Sequence, residues 1–120
     1  MDHSKEFVAL VDEAKTRVRE IDIDALDARR RAGARVIDVR EDDEFRAGHV
    51  PGAEHIGKGV IERDIIGKVP DKDAELILYC GGGFRSILAG DALGKMGYRR
   101  VFSLIGGWRD WLKRGLPTEK

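Results

Sequence analysis

The stretch Glu75-Leu76-Ile77-Leu78-Tyr79-Cys80-Gly81-Gly82-Gly83-Phe84-Arg85-Ser86 decides the fold. Glu75 to Tyr79 is an almost unbroken apolar run, which predicts a strand covered on both faces, as in a parallel sheet. Three glycines break that strand. Arg85 to Met96 then predicts a helix packed through Ile87, Leu88, Ala92, Leu93 and Met96. Upstream, Arg35-Val36-Ile37-Asp38-Val39 is a second β-branched strand. Downstream, Arg100 to Leu104 is a third strand, and Gly106-Gly107 turns into a helix whose buried stripe is Trp108, Trp111 and Leu112. Gly115-Leu116-Pro117 ends that helix.

The remaining segments fit the same rhythm. Phe7, Val11, Ala14 and Val18 recur at helical spacing, with Ser4 as N-cap. Ile21 and Ile23 alternate with Asp22 and Asp24 as a short strand or extended entry, and a helix through Ala25, Leu26 and Ala28 stops at Gly33. Glu41 to Arg46 forms an acidic-started helix closed by Gly48. Pro51-Gly52 turns into a brief strand from Ala53 to Ile56, and Val60 to Ile66 forms a short helix. Strands alternating with helices predict a three-layer α/β/α domain around a mostly parallel sheet of about five strands. Residues 1–19 are expected to form a helical extension, and 20–120 the domain proper.

Composition narrows the function. The chain has 120 residues, enough for one ordinary domain. Its 22 basic and 22 acidic residues cancel, which argues against a nucleic-acid binder that works by neutralising phosphates. Residues 1–60 hold 11 basic and 14 acidic groups (−3), while residues 61–120 hold 11 and 8 (+3), a hint toward anionic substrates. No apolar run is long enough to span a bilayer. The opening residues lack the pattern of a secretory signal, so a cytoplasmic protein is expected. Cys80 is the single cysteine, which excludes an internal disulfide and a cysteine-cluster metal site. His49 and His55 lie near Glu54, but no third ligand has helpful spacing, so no metal is predicted. Arg29-Arg30-Arg31 reads as a solvated helix end.

Cys80 falls where a buried strand ends and a helix begins, the sheet edge at which open α/β folds bind ligands. Gly81, Gly82 and Gly83 let the backbone curl and turn its N–H groups inward as an anion nest. The helix from Arg85 aims its positive end at the same place, and Arg85 adds a fork of donors suited to oxyanions. These features predict an activated thiolate nucleophile. Cysteine phosphatases use a Cys-x5-Arg loop sized for phosphate. Here the spacing is Cys-x4-Arg, and a smaller ring of amides suits an extra sulfur better.

These residues resemble the rhodanese family, specifically its single-domain members. Val36-Ile37-Asp38-Val39-Arg40 is similar to the family strand ending in Asp-x-Arg. Glu44 to Ala53 resembles its Glu-Phe…Gly-His-Val-Pro-Gly-Ala segment, and Cys80 to Ser86 its six-residue active loop. Gly106-Gly107-Trp108, Trp111 and Gly115-Leu116-Pro117 resemble its closing signature. The resemblance covers roughly residues 20–118. It implies sulfur transfer without a cofactor: Cys80 takes a sulfane sulfur from a donor such as thiosulfate and becomes a persulfide. Gly81, Gly82, Gly83, Phe84 and Ser86 belong to the anion-binding loop in this picture, and Arg85 binds the donor's charge. Cyanide, an external thiol or a sulfur-acceptor protein then removes the sulfur. Asp38 and Arg40 support the site by orientation and ion pairing. A non-catalytic binding module of the same fold, and a phosphatase- or arsenate-reductase-like enzyme, are the competing readings.

Overall fold

The computed structural model describes residues 3–120; Met1 and Asp2, the start of the expected extension, lie outside the described residues. In chain order the elements are α1 (Lys5–Lys15), β1 (Arg19–Ile21), α2 (Leu26–Arg31), β2 (Arg35–Asp38), α3 (Asp42–Ala47), β3 (Glu54–His55), α4 (Ile61–Lys68), β4 (Leu76–Tyr79), α5 (Arg85–Lys95), β5 (Val101–Leu104) and α6 (Gly107–Lys113). The five strands form one sheet in the order β1-β5-β4-β2-β3, and every pairing is parallel. The expected three-layer α/β architecture is therefore present.

β4 runs through the centre of the sheet, and all four of its residues are buried. Successive side chains on a strand point to opposite faces, so β4 feeds two cores. Leu76, Leu78 and the following Cys80 pack with Ile61 and Ile65 of α4 and Ala89 and Leu93 of α5. Ile77 and Tyr79 pack on the other face with Leu26 of α2 and Trp111 of α6. The unbroken apolar run thus reflects cover from both sides.

α1 lies outside this sandwich, against α5. Val11, Ala14 and Val18 pack on Ile87, and Ser4 caps the helix by accepting the Phe7 N–H at 3.0 Å. A Cβ on Gly90 would stand 3.1 Å from Cγ1 of Val18, so a small residue there permits the close approach. Arg17 pairs with Asp91 at 2.7 Å and fastens the end of α1 to α5.

Several local details differ from expectation. α1 stops at Lys15, and Val18 packs from the connection that follows. Ile23 is not strand; it opens a 3₁₀ turn (Ile23–Ala25) because the Asp22 side chain accepts the Ala25 N–H at 3.1 Å. α4 spans Ile61–Lys68, a shift of one to two residues. Leu112 is 51% exposed, although its spacing suggested the buried stripe of α6. Trp111 fills that role, 6% exposed, with its indole N–H donating to the Pro117 carbonyl at 2.8 Å. Among the described residues, no helix is long and apolar enough to cross a membrane.

The two leucines offer a direct check. Leu78→Ala, at a fully buried site, is expected to cost about 2–5 kcal/mol of unfolding free energy. Leu112→Ala is expected to change it by about 0.5 kcal/mol or less. Chemical denaturation of both variants measures the difference.

Candidate active site

The site grows from the end of β4. Cys80 is the first residue past the strand, and α5 begins at Arg85. The Gly83 N–H donates to Cys80 Sγ at 3.1 Å, and the Ser86 N–H donates at 3.4 Å. The Ser86 hydroxyl lies 3.5 Å from the sulfur and 2.7 Å from the Ser103 hydroxyl, which holds it in place. Gly83 has φ +103°, a conformation that side chains rarely adopt, and this is what turns its N–H inward. Convergent backbone donors can stabilise negative charge on the sulfur or on an atom bonded to it.

The loop is held from behind by α6. The Trp108 N–H donates to the Cys80 carbonyl at 2.8 Å, and the Arg109 N–H to the Gly81 carbonyl at 2.9 Å. Gly107 makes this contact possible. At φ +50°, a Cβ on it would fall 2.3 Å from the Cys80 carbonyl oxygen. What the sequence showed as a turn before a helix is therefore the seat of the cysteine loop.

Cys80 forms the floor of a pocket of about 730 Å³, and Gly81, Gly82, Phe84 and Arg85 line it with Glu44, Arg109, His3 and Phe7. Arg85 does not stand alone there. Its fork meets both oxygens of Glu44, at 2.9 and 3.2 Å. The pairing holds the Glu44 carboxyl below its ordinary range and raises Arg85 above its own. Glu44 is also the N3 residue of a capping box, accepting the Glu41 N–H at 2.9 Å, so the turn that starts α3 aims it. Arg109 reaches the mouth from α6. A Cβ on Gly82 would stand 3.2 Å from its Nη2, and one on Gly81 would stand 3.2 Å from Nη2 of Arg85. The bare glycines leave room for both guanidinium groups.

Asp38 and Arg40 do not line the pocket. They form a buried pair at 2.7 Å behind it. Arg40 also donates to the Gly48 carbonyl at 2.7 Å and lies over the Trp108 ring at 4.8 Å. The pair therefore joins the end of β2 to the end of α3 and the start of α6. Beside it, burial pushes the Tyr79 phenol above its ordinary range, and the Asp38 carboxylate adds to the effect. His49 and His55 stack on either side of Phe45, at 3.7 and 4.7 Å, and His55 Nε2 lies 2.8 Å from the Arg40 carbonyl. Arg29 and Arg30 are engaged rather than solvated: Arg29 pairs with Glu75 at 3.1 Å, and Arg30 donates to the Pro51 carbonyl.

Four lining residues were absent from the sequence-derived site: His3, Phe7, Glu44 and Arg109. The sequence held a partial signal for two of them. Arg109 follows β5, the strand beside β4, so the topology brings it to the same sheet edge as Cys80. Phe7 lies on the apolar stripe of α1 with Val11 and Ala14. Glu44 finds its partner 41 positions away, and no local spacing reveals that.

Comparison with known proteins places this geometry in a family. The rhodanese-like domain matches residues 11–114. The thiosulfate sulfurtransferase GlpE of Pseudomonas fluorescens is 38% identical over 84 residues, covering 70% of this chain and 75% of its own. A solved Rhodopseudomonas palustris structure, described as a possible tyrosine phosphatase, matches with TM-score 0.80 and 26% identity over 99% of this chain and 98% of its own. The human single-domain sulfurtransferase TSTD1 matches with TM-score 0.72 and 25% identity, covering 81% of this chain and 97% of its own. The chain spans 40% of the length of a Bacillus subtilis relative and 61% of that of a Schizosaccharomyces pombe relative.

Two measurements probe the scaffold. Gly107→Ala is expected to destabilise the protein by at least about 1–3 kcal/mol, because a Cβ meets backbone at a positive φ. The stability lost in Glu44→Gln should depend on pH. Because the folded-state pKa of Glu44 lies below its ordinary 4.5, the loss is full above that pH. It fades as pH falls through the lower folded-state value, and urea titrations across acid pH follow it.

Proposed function

The chain belongs to the rhodanese-like domain family, and from that premise we propose that it is a sulfurtransferase carrying a sulfane sulfur as a persulfide on Cys80. The observation that carries this reading is the cradle around the sulfur. The Gly83 N–H, from the four residues between Cys80 and Arg85, and the N–H and hydroxyl of Ser86, in the first turn of α5, converge on Sγ. Cys80 thiolate attacks the outer sulfur of thiosulfate. A Sγ–S bond forms, the S–S bond of the donor breaks, and sulfite leaves with its electron pair. Charge is conserved, since thiolate and thiosulfate give persulfide anion and sulfite. The Gly83 and Ser86 N–H groups stabilise the charged sulfur, and Gly81, Gly82 and Phe84 shape the mouth. Arg85 brings positive charge to it, partly balanced by Glu44.

A second nucleophile completes the cycle. Cyanide or an external thiol attacks the outer persulfide sulfur and releases Cys80 as thiolate. The 120 residues hold no second cysteine to take the sulfur, so the acceptor in this reading comes from outside them: a small thiophile or a sulfur-acceptor protein. A reducing, cytoplasmic setting suits this free thiol. Residues 20–120 carry the catalytic unit in this reading, with 1–19 as an extension whose helix α1 packs against α5. Asp38 and Arg40 act as positioning residues, through Gly48 and Trp108.

Incubation with thiosulfate is expected to add the mass of one sulfur atom to the protein, and cyanide to remove it as thiocyanate. Cys80→Ser should abolish both. Intact-mass spectrometry reads the first and a thiocyanate assay the second. An unchanged mass, together with Cys80-dependent hydrolysis of an aryl phosphate, would instead support phosphatase chemistry.

A further inference from the structure

β5 carries a polar residue where its neighbours are apolar. Ser103 lies in register with Leu78 of β4, and Val101, on the same face of the strand, packs with Leu76, Leu78 and Cys80. Ser103 is 1% exposed and Ser86 is fully buried. A hydroxyl in such a place costs stability unless it is hydrogen-bonded. Among the described residues the Ser103 hydroxyl has one hydrogen-bonding partner, the Ser86 hydroxyl at 2.7 Å. The Ser86 hydroxyl in turn lies 3.5 Å from Cys80 Sγ. The three atoms form a chain from β5 through α5 to the nucleophile, and neither serine lines the pocket above it.

Each hydroxyl holds one proton, so the chain has two directions. In one, Ser103 donates to Ser86 and Ser86 donates to the sulfur. Both protons are then used, and the sulfur acts as acceptor, the role a thiolate fills best. In the other, a Cys80 thiol donates to Ser86 and Ser86 donates to Ser103. The Ser103 proton is then buried without an acceptor among the described residues. We infer that Ser103 is a positioning residue for Cys80. It fixes the direction of the Ser86 hydroxyl, and so favours thiolate both when Cys80 attacks the donor and when it leaves as the acceptor takes the sulfur. A hydroxyl whose oxygen accepts a hydrogen bond is itself a stronger donor, by about 10–30% per bond in such chains. The inference rests on the sulfurtransferase reading and adds to it a residue that touches neither donor nor acceptor.

A double-mutant cycle separates this role from packing. Iodoacetamide reacts with the thiolate rather than the thiol, so the pH midpoint of Cys80 alkylation reports how tightly the sulfur holds its proton. Ser103→Ala is expected to raise the midpoint to match a proton affinity about two- to fourfold greater than in the wild type. Ser86→Ala is expected to raise that affinity about tenfold or more, the worth of a hydrogen bond to a charged group. Release of sulfur to cyanide from the preloaded persulfide is expected to slow about twofold or more in Ser103→Ala. Added to Ser86→Ala, the same substitution should change neither reading, because its effect passes through the Ser86 hydroxyl. Ser103→Thr keeps a hydroxyl and is expected to keep the wild-type midpoint. His3, Glu44, Arg85 and Arg109, the titratable groups that line the pocket with Cys80, are the same in every variant and cancel from these differences. An unchanged midpoint or release rate in Ser103→Ala, an equal change in the Ser86→Ala background, or a Ser103→Thr midpoint equal to that of Ser103→Ala would overturn the inference while leaving sulfur transfer standing. Failure of the wild type to gain a persulfide from thiosulfate would overturn the sulfurtransferase reading, and this inference with it.

Discussion

The backbone of Cys80 and the first turn of α6 share one contact on which the site depends. The N–H groups of Trp108 and Arg109 donate to the carbonyls of Cys80 and Gly81, across a gap that only a glycine at 107 leaves open. A loop of glycines alone would sample many conformations, because glycine loses more freedom on ordering than any other residue. Tying two of its carbonyls to the start of a helix removes much of that freedom. The N–H of Gly83 can then face the sulfur as a fixed donor rather than a transient one. Preorganised donors stabilise charge without the cost of reorienting them when it forms.

The same contact carries order outward. Trp108 lies under Arg40, and Arg40 is held by Asp38 at the end of β2 and by the carbonyl of Gly48 after α3. A buried ion pair is weak support for stability, because desolvation offsets the attraction. Here it joins three chain segments that end at one sheet edge. α3 in turn presents Glu44 to Arg85, so the pair acts on the mouth of the pocket through its neighbours.

Much of the fold is legible in the sequence because it obeys a period. The apolar run of β4, the stripe of α5 and the glycine break between them each follow from local geometry, and the parallel sheet follows from their alternation. Where a side chain meets a distant partner, periodicity is silent or misleads. Leu112 has the spacing of a buried residue, yet Trp111 occupies the space over the sheet and leaves it 51% exposed. Asp22 turns Ile23 out of a strand by capping, a competition that alternation alone does not register. The cysteine loop is visible because all its parts are contiguous. Glu44, Arg109 and the ring of Phe7 arrive from three other elements and needed the topology to be placed.

The zero net charge conceals the feature that matters for an anionic substrate. Of the three carboxylate or guanidinium side chains at the mouth, Arg85 and Arg109 come from the basic half of the chain and Glu44 from the acidic half. Folding sets them beside one thiol. A guanidinium paired with a carboxylate attracts a passing anion weakly, since the fields of the two largely cancel beyond a few ångströms. An unpaired guanidinium at the same mouth does not suffer that cancellation. Glu44 thereby shifts the attractive charge from Arg85, at the start of α5, to Arg109, over Gly82.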